Sequence, residues 1–385
     1  MKNLYLFALA TLLFTSSSVS LAEEKVVTAS RPDVSLKLEL DTAIGKGLTW
    51  LAGQQKPSGA WGMAEFPALS GLVLTAYQGD ASGHYKSKYA NNLRTGYTQL
   101  LTHVQPDGGI YEEKLGNYNT SVSLMALLMA NDPTYEPVMK KARQYLIGQQ
   151  DMSGDDPALQ GGVGYGGTYH HSDLSNTLFA LEGLHYTRYL KSDVANDPQA
   201  KDLNWKAAVQ FISRTQNLPA SNDQKWASDD PANKGGFIYF PGDSKAGEQQ
   251  LGNGKTALRS YGSMSYAGLL SFIYAQVDKT DPRVKSVIDW LSRNYTLDEN
   301  PGMGAEGLYY YYHTMAKALS AAHIDRITLK DGSKVNWRQD LAKRLLNLQN
   351  ADGSWSNNNG RWMEKDPVLV TSYGVIILEI LQRGL

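Results

Sequence analysis

A unit of helix, Gly-rich turn and helix recurs six times in this 385-residue chain, and that recurrence limits the fold more tightly than any other feature. The last copy, Leu341 to Leu381, shows it most plainly. Leu341, Leu345, Leu346 and Leu348 give an apolar stripe to a helix that keeps Lys343 and Arg344 on its other side. The pattern breaks at Asp352-Gly353, where only a turn fits, and restarts from Leu369. The second helix is apolar nearly all round (Val375, Ile376, Ile377, Leu378, Ile380, Leu381), which places it in an interior. One helix of the unit is therefore outer and the other inner.

Aligned on a first-turn hydroxyl of the inner helix, the copies begin at Ser70, Thr120, Thr177, Ser265, Thr314 and Thr371. Apolar residues follow four and seven positions later, as in Leu124 and Leu127 or Val375 and Leu378. Most copies are preceded by an outer helix ending in Gln and then a Gly/aromatic turn. Examples are Gln54-Gln55 with Trp61, Gln149-Gln150 with Gly164-Tyr165, Gln216 with Gly236-Phe237, and Gln349 with Trp355. Copy two, around Asp107-Gly108-Gly109, lacks the Gln pair, and copy five, Asn300 to Gly304, is the most degenerate. Six hairpins with apolar inner helices cannot each bury their own inner face. A closed ring satisfies all of them and leaves a central lumen, so the expected fold is an all-α, α/α toroid.

The expected organisation is a leader at 1–22, a flexible lead-in at 23–40, and one toroidal domain at 41–385 with an insertion at about 217–257. Met1 to Ala22 carries Lys2, an apolar run from Leu4 to Phe14, and Ser20-Leu21-Ala22 before Glu23, the layout of a cleaved signal peptide. A periplasmic or secreted protein follows, with no integral membrane segment in the mature chain. The absence of Cys removes disulfides, thiolate nucleophiles and Cys-ligated zinc together. A formal net charge of −1 supplies no basic field for nucleic acid.

Residues just before each inner helix converge on one end of the ring. Candidates for catalysis there are Asp173, Asn176 and His313; candidates for ligand binding are Asn119, His170, His171, Tyr261, Tyr310, Tyr311, Arg361 and Trp362. Each has a plainer reading. Asp173 is a good helix N-cap, the repeat hydroxyls satisfy backbone donors, and His170-His171 read as turn residues. His313, among four tyrosines, reads equally as a hydrogen-bonded wall residue. The Asp/Asn run from Asn350 to Asn359 has turn chemistry rather than the carboxylates of a calcium loop.

From about Asp41 onward the chain resembles the terpenoid cyclase and protein prenyltransferase superfamily, the squalene-hopene cyclase-like toroids. The Gln to Gly-Trp turns, Gln54 to Trp61 and Gln349 to Trp355, look like that family's QW motif, which marks the fold and says little of activity. Asp173-Leu174-Ser175-Asn176-Thr177 is similar to the Asp-x-Asp-Asp-Thr segment of class II cyclases, with Ser175 where the proton donor stands. Ser263, Ser265 and His313 are similar to the prenyltransferase zinc ligands, and two of these three are hydroxyls that would not hold zinc. No metal and no cofactor are expected. The resemblance, with 23 Tyr against 8 Phe, implies a lumen that binds, and in an enzyme transforms, an isoprenoid or other apolar small molecule. The alternatives are a toroid polysaccharide lyase, using Asn119 or His171 against a uronate and Arg361 to position the chain, and a non-catalytic binding or scaffolding module. A deep aromatic pocket favours lipid; an open polar groove favours sugar.

Overall fold

The computed structural model describes residues 34–166, 171–192, 197, 200–252 and 254–385. The expected leader and the first part of the lead-in lie outside the described residues. The chain alternates outer and inner helices from one end to the other. Val34–Gly53 (α1) precedes Pro67–Gly79 (α2), and a short His84–Lys88 (α3) leads into Ala90–Leu101 (α4) and Gly116–Ala130 (α5). Glu136–Gly148 (α6) precedes Leu174–Tyr186 (α7), and Trp205–Arg214 (α8) precedes Gly262–Tyr274 (α9). Pro282–Arg293 (α10) with Leu308–Ala321 (α11), and Trp337–Leu348 (α12) with Pro367–Gly384 (α13), complete the series. The inner helices α2, α5, α7, α9, α11 and α13 pack as neighbours in that order, and α13 returns to pack against α2. The ring is closed.

Burial separates the two layers as the sequence pattern requires. Inner helix α9 buries twelve of its thirteen residues. Outer helix α10 buries only Val284, Val287, Trp290 and Leu291, the three-and-four spacing of a helix with one face inward. At the seam, α1 packs on both α13 and α12. It starts at Val34, earlier than the expected domain edge at residue 41, because Leu36 and Leu40 continue the buried four-residue spacing of Ile44, Leu48 and Leu51.

The Gln residues join each copy to the next. In each of four copies one side-chain amide donates to the copy's own turn carbonyl and to the backbone of the following outer helix or of its N-cap. Gln55 Nε2 reaches Gly59 O at 2.9 Å and Asn92 O at 2.8 Å, and Gln150 Nε2 reaches Gly161 O at 2.9 Å and Asn204 O at 3.0 Å. Gln216 Nε2 reaches Gly235 O at 3.0 Å and Arg283 O at 2.9 Å. Across the seam Gln349 Nε2 reaches Gly353 O and Ala43 O, both at 2.9 Å. The turns themselves need glycine. Gly353 has φ +95°, and a Cβ there would stand 2.7 Å from the Lys46 carbonyl oxygen of α1.

The expected insertion at 217–257 is a folded excursion held by buried asparagines. Asn217 Nδ2 donates to Leu258 O at 2.8 Å, Asn222 Nδ2 donates to Gln216 O at 2.7 Å, and Asn233 Oδ1 accepts from Ser260 N at 2.9 Å. It includes an antiparallel ribbon of Glu248–Gln250 (β1) and Thr256–Leu258 (β2), and it carries Tyr239 toward the lumen. Among the described residues no helix is long and apolar enough to cross a membrane.

Candidate functional site

The repeat hydroxyl sets which residues face the lumen. Its oxygen accepts the backbone N–H of the turn aromatic or apolar residue: Trp61 N to Ser70, Ile110 N to Thr120, Val163 N to Thr177, Phe237 N to Ser265, and Trp355 N to Thr371, all at 2.9 or 3.0 Å. With five inner helices locked in one register, the residues two positions before the hydroxyl (Ala68, Tyr118, Ser175, Ser263 and Leu369) all line a cavity at the lumen mouth. Copy five departs from the expected alignment. Thr314 bonds only carbonyls of its own helix, Tyr310 and Tyr311, and the residue that lines the mouth is Tyr310. Tyr312 stands at the register position of the repeat hydroxyl, and its phenol donates to Leu297 O in the connection before α11 instead of accepting a turn N–H.

The mouth cavity has a volume of about 390 Å³ and an aromatic wall. Tyr118, Phe179, Tyr310 and Tyr373 come from α5, α7, α11 and α13; Tyr261 caps α9, and Phe66 lies at the start of α2. Tyr165 and Tyr239 come from loops, placed by hydrogen bonds from Asn117 N to Tyr165 O at 3.0 Å and from Leu174 N to Tyr239 O at 2.9 Å. Trp362, 41% exposed, stands at the opening in a left-handed conformation with φ 52°. The floor is a ring contact: Phe179 meets Tyr118 edge-on at 5.0 Å and Tyr310 at 6.2 Å. Beneath it His313 stacks on Tyr373 at 4.8 Å. Burial holds the Tyr310 phenol well above its ordinary range, so it stays a neutral hydroxyl, and that hydroxyl is buried with no hydrogen-bond partner.

Of the residues singled out from the sequence, Asn176, Tyr261, Tyr310 and Trp362 come together on this cavity. Asp173 is fully buried one layer behind it. Its Oδ1 accepts from Asn176 N at 2.9 Å and Ser175 Oγ at 2.7 Å, and its Oδ2 accepts from Asn176 Nδ2 at 2.8 Å. Burial pushes its carboxyl above the ordinary range, and those hydrogen bonds pull the other way. Asp173→Ala is expected to lower stability by about 1–3 kcal/mol, since it removes the cap and strands the Asn176 donors, and urea unfolding measures it.

The others stand elsewhere. His313, on the second turn of α11, lines a chamber below the floor instead of the mouth. Asn119 is fully buried as a clamp: its Oδ1 accepts from Ala68 N at 3.1 Å and its Nδ2 donates to Lys114 O at 3.0 Å. Tyr311 points outward and its hydroxyl donates to Thr296 O at 2.9 Å. Arg361 pairs with Glu306 and lies 4.6 Å over the Trp362 ring, so it braces the opening. His171 packs 5.0 Å from the Phe240 ring, and His170 lies outside the described residues. Ser265, compared above with a zinc ligand, is occupied by Phe237 N and Tyr261 O.

Glu364 was not anticipated. It lines the mouth cavity at 1% exposure, and its carboxylate accepts from Tyr310 N at 2.8 Å, Tyr309 N at 3.2 Å and Asn357 Nδ2 at 2.6 Å. It caps α11 from a distance of 54 residues in sequence, so no local pattern discloses it. Asp173, Glu364 and Asp366 thus place carboxyl acceptors on the backbone donors at the N-termini of α7, α11 and α13. Among the described residues no Lys or Arg lines the mouth cavity.

The chamber below the floor has a volume of about 580 Å³. Glu379, 2% exposed, lies in its wall, and burial pushes the carboxyl well above the ordinary value of 4.5 despite Arg383 and Lys86 nearby, with Asp80 adding to the rise. A raised pKa means the folded chain holds the proton more tightly than the unfolded chain. Its contribution is full below the ordinary value and is lost as pH rises through the folded one. Glu379→Gln is expected to raise the melting temperature at pH 8 and to converge with the parent near pH 4. Thermal unfolding across that range checks it.

Known structures share this architecture. No protein-family profile and no curated protein sequence matches the chain. A type II terpene cyclase from Scytonema, solved with geranylgeranyl dihydroxybenzoate as substrate, superposes with a TM-score of 0.55 at 12% identity, over 91% of this chain and 100% of the cyclase. A GH76 α-mannanase from Bacteroides thetaiotaomicron gives 0.56 at 11% identity, over 91% and 98%. An unsaturated glucuronyl hydrolase specific for heparin gives 0.56 at 13%, over 91% and 97%. At these identities the likeness shows the fold alone: the chain is an α/α toroid.

Proposed function

We propose that the mouth chamber binds an isoprenoid or similar apolar small molecule that carries one neutral polar group. The observation that carries this reading is the aromatic wall together with the buried, unpartnered hydroxyl of Tyr310, one of its residues. Aromatic faces take up apolar chains and stabilise positive charge that develops on them. The donors at these helix ends are already taken by Asp173, Glu364 and Asp366, so a charged ligand would bring an uncompensated charge into a buried space. The terpene cyclase among the structural neighbours, solved with a geranylgeranyl-bearing substrate, lends support to this reading over the sugar-acting neighbours.

Binding is the part of the reading that the wall supports. Ser175 holds the place of a cyclase proton donor and donates its own proton to Asp173, and a serine hydroxyl is too weak an acid to protonate an alkene. Glu364 accepts three hydrogen bonds at the α11 terminus; burial pushes its carboxyl above the ordinary range and those bonds pull the other way. The sugar reading differs in what it needs: an open groove with polar groups along it. Fluorescence titration of Trp362 with farnesol, mannotetraose and an unsaturated heparin disaccharide separates them. Saturable quenching by farnesol alone is expected; saturation by either sugar with none by farnesol overturns the proposal.

A further inference from the structure

The chamber below the floor differs in chemistry from the mouth, and the wall between them is Phe179, which lines both. One side of it is apolar: Leu72 of α2, Met125, Leu128 and Met129 of α5, and Ile376 and Ile380 of α13. The other side is polar, and its charges are matched except at Arg383, which is exposed to solvent and has no ion pair among the described residues. Lys317 pairs with Glu182, which also accepts from the Tyr274 hydroxyl at 3.3 Å. Arg338 pairs with Asp325 at 3.0 Å, and Arg383 donates to Gly79 O at 3.3 Å, near the carboxyl of Glu379. Basic residues at this end also complement the negative ends of the inner helices.

Hydrogen-bonding capacity is left over as well. His313 Nδ1, Ser320 Oγ, Glu379 Oε1 and Arg338 Nε all lie on residues of this chamber, and all four atoms are buried without a partner. His313 is 5% exposed, Glu379 2% and Arg338 8%. An unpaired buried polar atom costs about 1–3 kcal/mol, so four around one space are an invitation to a molecule that can satisfy them. Burial and the neighbouring Lys317 hold His313 neutral, and burial keeps Glu379 protonated more readily than an ordinary carboxyl.

We propose that this lower chamber is a second ligand site, separate from the mouth, for an uncharged amphiphile: an apolar body lying on the α2, α5 and α13 wall, with hydroxyl or carbonyl groups meeting His313, Ser320 and Glu379. A cationic head would meet Lys317, Arg338 and Arg383, an anionic head would find only the solvent-screened Arg383, and a pure hydrocarbon leaves the four polar atoms unpaired. The site does not depend on what the mouth binds.

The test uses the full chain and 1-dodecanol, with dodecane, dodecanoate and dodecylammonium as matched probes, in equilibrium dialysis. Leu369→Trp fills the mouth, so binding retained in that variant reports the lower chamber alone. One dodecanol per chain is expected there, at least tenfold tighter than any of the other three probes, and lost when Met125→Trp is added. Equal binding of the charged homologues, no binding in Leu369→Trp, or binding unchanged by Met125→Trp overturns the proposal. Should Met125→Trp fail to fold, the ¹⁵N resonances of the His313 ring in the parent decide: a shift on adding dodecanol is expected, and an unmoved ring with dodecanol bound contradicts the site. Resonances that respond to pH and buffer only, with no dodecanol bound, would show that water alone fills the chamber.

Discussion

Trp355→Ala is expected to destabilise the ring by about 3–5 kcal/mol, measured as a fall in urea midpoint with little change in slope. Trp355 is fully buried between α12 and α13, and its side chain and backbone close three contacts at once. Its Nε1 donates to Leu345 O at 2.9 Å, satisfying a carbonyl of the last turn of α12, and its backbone N–H donates to Thr371 at 3.0 Å. Its ring also covers Gly374, where an added Cβ would meet it at 2.8 Å. Trp61 repeats the arrangement in copy one, with Nε1 donating to Leu51 O at 2.7 Å and N–H to Ser70 at 3.0 Å. The Trp355 copy sits beside the seam, where Gln349 ties α12 to α1, so its loss should loosen closure as well as packing. A cost below about 1 kcal/mol would show that the turn tryptophan fills space without organising the copy.

Leu369→Trp is expected to weaken binding of farnesol at least a hundredfold while leaving the melting temperature within a few degrees of the parent. Leu369 is on the first turn of α13, two positions before Thr371, and lines the mouth cavity at 5% exposure. The bond from Trp355 N to Thr371 fixes the rotation of α13, so a larger side chain at 369 extends into the cavity and displaces the ligand. Ligand loss of this size is about 2.7 kcal/mol, within what excluding one apolar group from a pocket achieves. Met125→Trp, on the far side of the Phe179 floor, should leave farnesol affinity within threefold.

The ring was legible because its causes are local and repeated. A hydroxyl, an apolar pair four and seven residues on, a Gln and a Gly-aromatic turn each appear in one short window, and each maps onto a bond that recurs in the structure. In copy five the spacing selects Thr314, the expected hydroxyl, whereas the register position is two residues earlier at Tyr312, and nothing nearby in sequence distinguishes them. That slip also explains why His313 was placed at the mouth when it lines the chamber below. Asn176, Tyr261 and Tyr310 were found from their position before an inner helix, whereas Asn119, in the same position, turned out to clamp α2 to α5. Side-chain direction at a helix start depends on the neighbouring helix, which a linear reading does not contain. Glu364, Tyr239 and Tyr165 reach the cavity from loops, and only the closed ring brings those loops together.

The most direct measurement is a crystal structure of the full chain grown with farnesol. One ordered molecule is expected between Trp362 and the Phe179 floor, its isoprenoid body against Tyr118, Tyr261 and Tyr373 and its hydroxyl within hydrogen-bond distance of Tyr310. An empty mouth with farnesol bound elsewhere, or with a sugar ordered across the Trp362 opening in its place, would contradict this expectation.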